Sequence, residues 1–228
     1  GTPIKQIGSS NDLSINLLEP SGITIDSEDN IYVTEQARNC VTKINREGFI
    51  EFRVGDLGNG PGQFNMPWGL TVDSSGFIYI ADWRNDRIQK LNPCGDFMSS
   101  YGKSGSGEGE FNRPSSVAVD SEGSIYVTDW GNERVQVLDS NGHFIQMLRG
   151  QATLSKWAEQ WLDANQDELT ARNKSNLKID WLPDHLRSPY QVSAQTEHLF
   201  WGPVSAKIDE SDRLFITEHS RARIQVYK

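Results

Sequence analysis

A segment of about 47 residues occurs four times in this chain, and this repetition constrains the fold more than any single residue does. Three copies begin at Pro20, Pro67 and Pro114, which are 47 residues apart. The fourth begins at Pro203, 89 residues after the third, so one copy carries about 42 additional residues. Repetition at this period predicts stacked copies of one supersecondary unit.

Each copy contains three short runs of β-branched and aromatic residues and a weaker fourth run. In the second copy the three runs are PWGLTVD at 67–73, FIYIAD at 77–82 and RIQKL at 87–91. Turn-forming sequences such as the Asp-Ser-Ser-Gly segment at 73–76 separate the runs. Four strands in a repeat of this length are typical of one propeller blade. We therefore predict an all-β fold, a β-propeller of four-stranded blades with four detected repeats.

The second repeat resembles the NHL repeat nearly residue for residue. The resemblance rests on Pro-x-Gly-Leu-x-Val-Asp-x-x-Gly-x-Ile-Tyr-Ile-Ala-Asp-x-x-Asn-x-Arg-Ile-Gln at 67–89. It covers nearly all of the chain except residues 151–200. The resemblance implies a propeller, and propellers of this family more often have six blades. It also implies one of several roles, namely protein or RNA binding, extracellular sensing, or lyase activity such as that of peptidyl-amidoglycolate lyase.

The other three repeats depart from the motif at a few positions. The third has Ser116 where the motif has Gly, and the first has Cys40 where it has Arg. The fourth repeat departs at Ser205, at Lys207 and at Arg221, which stands where the motif has Asn. Lys207 lies in the innermost predicted strand, so we expect it either to point into the central channel or to pair with a nearby acid.

The repeat count leaves the closure of the ring open. The run at 4–7 predicts an outermost strand, and the chain ends at Lys228 after a third strand, so the N-terminus would supply the fourth strand of the last blade. Our first expectation is thus a single domain over 1–228 with four blades. A six-bladed parent shortened by two repeats is one alternative. Two chains that close a larger ring are another, and an incomplete ring would favour self-association.

The composition excludes some classes of function. A net charge of −9 and a pI of about 4.9 disfavour nucleic acid as a partner. No apolar run approaches the roughly 20 residues of a membrane span, so we expect no membrane partner. Cys40 and Cys94 fall at different positions of different repeats, which predicts two ordinary thiols. The compartment is left open.

Three of the four repeats contain an acidic residue five positions before an arginine. Because the pair recurs, we interpret it as a structural tie across the hairpin and not as a catalytic pair. In the first repeat Cys40 replaces the arginine, so Glu35 lacks this partner and is expected either to face water, which we favour, or to be free to bind something. The recurring pairs are Asp82 with Arg87, Asp129 with Arg134, and Glu218 with Arg223.

One face of the predicted propeller collects the residues of a candidate binding site. The loop between the second and third strands and the loop to the next blade emerge on the same face. Large aromatic side chains among polar residues are typical of binding surfaces. Trp83 and Trp130 recur and equally suit packing against the next blade, whereas Trp68 and Trp201 do not recur. The candidates in these loops are Trp68, Trp83, Trp130, Trp201, Asn85, Asn132 and His219.

Residues 151–200 predict a helical insertion between blades on this same face. A second, poorer helix is expected within 167–177. An apolar helix face with two tryptophans must cover something, so Trp157 and Trp161 are expected either to seal the insertion onto the propeller or to cover a ligand or partner. The amphipathic first helix is predicted from Leu154, Trp157, Ala158, Trp161 and Leu162.

Our first hypothesis is a non-catalytic binding scaffold whose protein or small-molecule ligand lies on the tryptophan-rich face under the insertion. No catalytic residue and no cofactor is predicted. The alternative is a metal-dependent lyase or hydrolase with a divalent cation on the propeller axis. Three histidines, His185, His198 and His219, would then have to converge with an acid. No closely spaced ligand motif supports this, so the metal ligands stay unknown.

Overall fold

The computed structural model describes residues 15–150, 156–174 and 182–228, and of residues 156–158 the backbone alone. It contains four small antiparallel sheets, one for each repeat, so the chain is an all-β four-blade propeller with few helices. Each sheet has its strands in chain order. The predicted fold class is therefore confirmed.

Blades one and two are complete four-stranded meanders. Their central strands are buried, because a neighbouring sheet covers them. The strands of blade one are β1 (Pro20–Ile25), β2 (Ile31–Glu35), β3 (Cys40–Ile44) and β4 (Ile50–Val54). Those of blade two are β5 (Pro67–Val72), β6 (Ile78–Asp82), β7 (Arg87–Leu91) and β8 (Phe97–Tyr101).

Blades three and four follow the same plan. The connector between blades two and three contains a short parallel pair, β9 (Lys103–Ser104) and β10 (Glu110–Phe111). The strands of blade three are β11 (Pro114–Val119), β12 (Ile125–Asp129), β13 (Arg134–Leu138) and β14 (Phe144–Leu148). Blade four has three described strands, β15 (Pro203–Ile208), β16 (Leu214–Glu218) and β17 (Arg223–Tyr227).

Apolar clusters hold neighbouring blades together, and each uses the third strand of one blade and the first strand of the next. Val41 packs with Leu70 between blades one and two. Ile88 packs with Val117 between blades two and three, and Val135 with Ala206 between blades three and four. Each blade thus has a face that meets the preceding blade and a face that meets the following one.

A recurring hydrogen bond joins the tops of adjacent blades. The residue just before the third strand of each blade has a left-handed φ. In blades one to three its side chain accepts the backbone N–H of the residue that precedes the next blade. The three pairs are Asn39 with Met66, Asp86 with Arg113, and Glu133 with Gly202. In blade four the equivalent residue is Ala222, whose side chain has no acceptor.

The acid–arginine pairs are confirmed as structural ties. Arg134 is 1% exposed and donates Nε to Asp129 at 2.7 Å. Its other nitrogens donate to the carbonyls of Ser106, Gly107 and Glu110. Arg87 makes the equivalent bonds in blade two, and Arg223 pairs with Glu218 in blade four. Each arginine therefore anchors the connector that enters its blade.

The expectation that Glu35 faces water is wrong. Glu35 is buried and pairs with Arg38 and Arg53, while Thr42 Oγ1 and the Leu18 N–H also donate to it. Arg53 comes from β4 of the same blade and supplies the charge that Cys40 lacks. These donors lower the pKa of Glu35 although burial opposes them as the largest single effect.

The insertion contains three described helices. Two were predicted, α1 (Lys156–Ala164) and α2 (Gln166–Lys174), whereas α3 (Pro189–Gln195) was not. Ser188 caps α3 by accepting the Gln191 N–H. No helix in the described parts of the chain is long and apolar enough to cross a membrane. Both cysteines are free thiols, as expected, with Cys40 buried and Cys94 exposed.

The described residues do not close the ring. β1 packs against β5, β5 against β11 and β11 against β15, but within ranges 15–150, 156–174 and 182–228 no comparable packing joins β15 to β1. The predicted closing strand at 4–7 lies outside the described residues. Closure through the N-terminus therefore stays a prediction.

Candidate ligand cleft on the tryptophan-rich face

Two of the predicted tryptophans form one aromatic cluster at the top of blade two. The rings of Trp68 and Trp83 meet edge to face, 5.4 Å between centroids. The guanidinium groups of Arg84 and Arg113 lie over the Trp83 ring at 5.7 and 5.2 Å. Neither arginine has an acidic partner among the residues that the structure describes, so the cluster carries two unpaired positive charges next to aromatic rings.

A second aromatic cluster forms where the insertion meets blade four. Tyr190 of α3 packs edge to face on Trp201 at 5.6 Å, and Arg221 lies over the Trp201 ring at 5.6 Å. Arg221 also donates to the carbonyls of Ser193 and Thr196, which attaches α3 to the blade. The Arg that replaces the motif Asn in the fourth repeat thus serves to hold the insertion.

A cleft of about 390 Å³ lies between these clusters. Helix α3 contacts the 130–132 turn across it. Trp130 and Tyr190 supply aromatic surface, and Arg113 connects the cleft to the Trp83 cluster. The lining residues are Asn112, Arg113, Trp130, Gly131, Glu133 and Tyr190.

Glu133 is the buried acid of this cleft. Its carboxylate accepts the Gly202 N–H, the interblade hydrogen bond described above. Burial is the main cause that raises the pKa of Glu133 to about 7; the Gly202 bond lowers the pKa, and the nearby Glu218 raises it further. The carboxyl group is therefore largely neutral in mildly acidic solution and charged in alkaline solution.

Other predicted site residues belong to the repeat framework. Asn132 is buried and donates its side-chain N–H groups to Gly105 O and Asp129, and Asn85 makes the equivalent two bonds. Both amides support the hairpin and its connector. His219 is exposed, and its backbone N–H donates to Gly202 O.

Lys207 and Trp68 line the central channel. The channel cavity has a volume of about 270 Å³ and is bordered by the innermost strands of all four blades. Its polar lining comes from serine hydroxyls such as Ser116 and Ser205. Burial lowers the pKa of Lys207, and no acid pairs with it in the described part of the chain. Of the two expectations for Lys207, the channel position is the one observed.

The first helix of the insertion does not seal the face through both of its tryptophans. Trp161 is 45% exposed, while the neighbouring Leu162 is buried. The side chain of Trp157 lies outside the described residues. The face is instead covered by α3, through Tyr190.

The described residues bring no three His, Cys, Asp or Glu side chains close enough to hold a metal ion. Of the predicted ligands, His185 and His219 are exposed. A cation on the axis stays a prediction from the sequence.

Sequence reasoning singled out Trp130 but missed the other side chains that the cleft depends on. Glu133 and Arg113 stand at positions where the repeats have different residues, and Tyr190 lies in a helix of only seven residues. One signal was available: Glu133 falls at a hairpin position where the other repeats have Asn39, Asp86 and Ala222, so it is the longest side chain there.

The four radially packed meanders define the chain as a β-propeller. The family model described as "NHL repeat" matches residues 64–91 and 111–138, and one described as "Beta-propeller repeat" matches residues 4–34. The second and third blades are therefore NHL repeats within a four-blade propeller. Among curated proteins, no sequence matches it significantly.

Solved structures similar to this chain are propeller proteins, and the likeness is one of fold alone. An inactive variant of virginiamycin B lyase from Staphylococcus aureus, solved with quinupristin, has 17% identity and a TM-score of 0.54, with 95% of this chain and 57% of that chain covered. A streptogramin B lyase has 16% identity and a TM-score of 0.54, with 94% and 56% covered. The hydrazine synthase of Kuenenia stuttgartiensis has 12% identity and a TM-score of 0.53, with 96% and 52% covered. The chain therefore spans just over half the length of these relatives.

Proposed function

We propose that this propeller is a non-catalytic binding scaffold whose ligand occupies the cleft between Trp130, Arg113 and Tyr190. The observation that carries the proposal is the contact of α3 with the 130–132 turn, which forms one side of a half-open cleft on the propeller face. Aromatic walls with a few polar groups are typical of ligand sites.

The lining chemistry favours a ligand with an aromatic or apolar group next to an acidic group. Trp130 and Tyr190 offer ring surface to the first. Arg113 offers an unpaired guanidinium to the second, and a bond between two charged groups is stronger than one between neutral groups. Below pH 7 Glu133 is protonated and does not repel an anion. A peptide segment and a small molecule can both present this chemistry.

Titration with two short peptides tests the proposal. Acetyl-Glu-Phe-Glu-amide and acetyl-Lys-Phe-Lys-amide are added at pH 6 while tryptophan emission is recorded; phenylalanine keeps the ligand itself silent. We expect the acidic peptide to bind more tightly, and more tightly at pH 6 than at pH 8. If neither peptide binds, or if the basic one binds better, the proposed ligand class is wrong.

Two arginine variants locate the site. Arg113→Ala should weaken binding of the acidic peptide by about tenfold, as expected for a lost charge-assisted hydrogen bond. Arg84→Ala is the matched control, because Arg84 is also exposed and also lies over Trp83 but does not line the cleft. Equal losses in both variants would place the ligand over Trp83 and not in the cleft.

A further inference from the structure

Two arginines at the joint between blades two and three stand where the other blades have no basic residue. Arg84 follows Trp83 in the turn between β6 and β7, and Arg113 directly precedes β11. The residues at the position of Arg84 in blades one, three and four are Ala37, Gly131 and Ser220. The residues at the position of Arg113 before the other first strands are Glu19, Met66 and Gly202. A residue that does not recur is not required by the repeated unit, so both arginines serve something local.

Backbone hydrogen bonds fix both arginines beside one aromatic ring. The Arg84 N–H donates to Asn65 O at 3.1 Å, and the Arg113 N–H donates to Asp86 Oδ1 at 2.7 Å. Their exposed guanidinium groups both lie over the Trp83 ring, at 5.7 and 5.2 Å from its centroid. The two positive charges are therefore held together before a ligand arrives, which lowers the entropic cost of binding one.

The described part of the chain does not neutralise these two charges. The recurring Arg87 and Arg134 each pair with a buried acid, whereas neither Arg84 nor Arg113 forms an ion pair among the described residues. A cation–π contact attracts a guanidinium group without cancelling its charge. Because like charges repel each other, an anion that contacts both groups would be favoured at this place.

A phosphate monoester fits this pair of cations better than a carboxylate does. A carboxylate needs only the guanidinium of Arg113, which lines the cleft. A phosphate monoester carries close to two negative charges at neutral pH and has three strong acceptor oxygens. Arginine binds such groups through parallel N–H bonds, so one phosphate can occupy two guanidinium groups.

We propose that the acidic group of the ligand is a phosphate monoester, held jointly by Arg113 and Arg84. This inference rests on the proposed function, because the aromatic part of the ligand would lie in the cleft against Trp130 and Tyr190. A phosphorylated aromatic side chain of a peptide and a phosphorylated aromatic small molecule both present this group.

Two pairs of matched esters test the requirement for a second charge. Phenyl phosphate and phenyl sulfate represent the small molecule, and acetyl-phosphotyrosine-amide and acetyl-sulfotyrosine-amide represent the modified side chain. The two esters of a pair have the same tetrahedral shape, but at pH 7 the sulfate carries one charge and the phosphate nearly two. Each compound is titrated while tryptophan emission is recorded. We expect the phosphate to bind about tenfold more tightly than the sulfate in at least one pair, and the pair with the larger ratio identifies the source.

Two variants of Arg84 locate the second charge. Arg84→Ala should reduce the phosphate-to-sulfate preference to about twofold, since one guanidinium group remains. Arg84→Lys keeps the charge but loses the planar donor group, so it should retain part of the preference. Arg46→Ala is the matched control, because it removes the same charge from an exposed arginine at the opposite end of blade one. It should leave the preference unchanged.

The outcomes separate this inference from the proposed function. If acetyl-Glu-Phe-Glu-amide binds but neither phosphate binds more tightly than its sulfate, the assignment of a phosphate is wrong and the cleft remains a ligand site. Equal losses of preference in Arg84→Ala and Arg46→Ala would also overturn the assignment, because net charge and not the arginine pair would then be responsible. If neither the acidic peptide nor any ester binds, the proposed function itself fails.

Discussion

At the scale of single residues, the buried carboxyl group of Glu133 couples folding to pH. Its pKa is raised from 4.5 to about 7 in the folded chain. A charged Glu133 therefore costs free energy above pH 7, and this cost vanishes as the pH falls towards 4.5. We predict that Glu133→Gln raises the free energy of unfolding at pH 8 by about 1–3 kcal/mol and by much less at pH 5. Urea unfolding of the variant and the unmodified chain at both pH values measures this difference in free energy.

Asp86→Asn is the control for this prediction, because Asp86 holds the equivalent position but is only half-buried. An equal gain at pH 8 in both variants would show that burial of Glu133 is not the cause.

The sequence did not single out Glu133, and it placed Glu35 in water. Both errors have one physical origin: the burial of a carboxyl group depends on loops and strands of other segments, such as Gly202 for Glu133 and Arg53 for Glu35.

At the scale of elements, the recurring arginines tie each hairpin to its connector. Arg134 is fully enclosed and donates to Asp129 and to three connector carbonyls. Arg134→Ala would leave Asp129 buried without its charged partner, so we expect a loss of about 3–5 kcal/mol in unfolding free energy. Thermal and urea unfolding measure the loss. Arg46→Ala, which removes an exposed pair with Glu47, should cost less than about 1 kcal/mol.

Similar small losses of unfolding free energy in the two arginine variants would contradict the structural role of the pairs.

The strands and these pairs were predictable, because the repeat shows the same residues in the same order several times. Helix α3 was not, since its seven residues carry too little periodicity and its position depends on Arg221 and Trp201 of a later blade. Elements encoded by the repeat are readable from the sequence, whereas contacts made by the insertion are not.

At the scale of the whole molecule, the repeat count predicted the number of blades but not how they close. Repetition specifies which face of a blade meets its neighbour, because the buried positions recur, as Leu70 and Val117 illustrate. It does not specify what meets the first and last faces, since those contacts have no internal copy to compare. The exposed Ile23 and Ile224 are visible only once the blades are placed in space.

The insertion should be separable from the propeller that carries it. In the sequence, residues 149–199 stand between the third and fourth repeats, where the nine-residue connector 102–110 stands between the second and third. In the transplanted connector, the carbonyls of Ser106, Gly107 and Glu110 would receive the Arg223 guanidinium as they receive that of Arg134. The joint between blades three and four is otherwise built from β11, β13 and β15, so we expect the exchanged chain to fold with a cooperative unfolding transition.

The same exchange removes Tyr190 and thus one wall of the cleft. We expect binding of acetyl-Glu-Phe-Glu-amide to be lost while the far-ultraviolet circular dichroism keeps its β-sheet signature. Tyr190→Ala in the unmodified chain is the milder control and should weaken binding without abolishing it, since Trp130 and Arg113 remain. A folded exchange variant that still binds with full affinity would show that the ligand contacts the propeller alone. In that case the insertion would have another role.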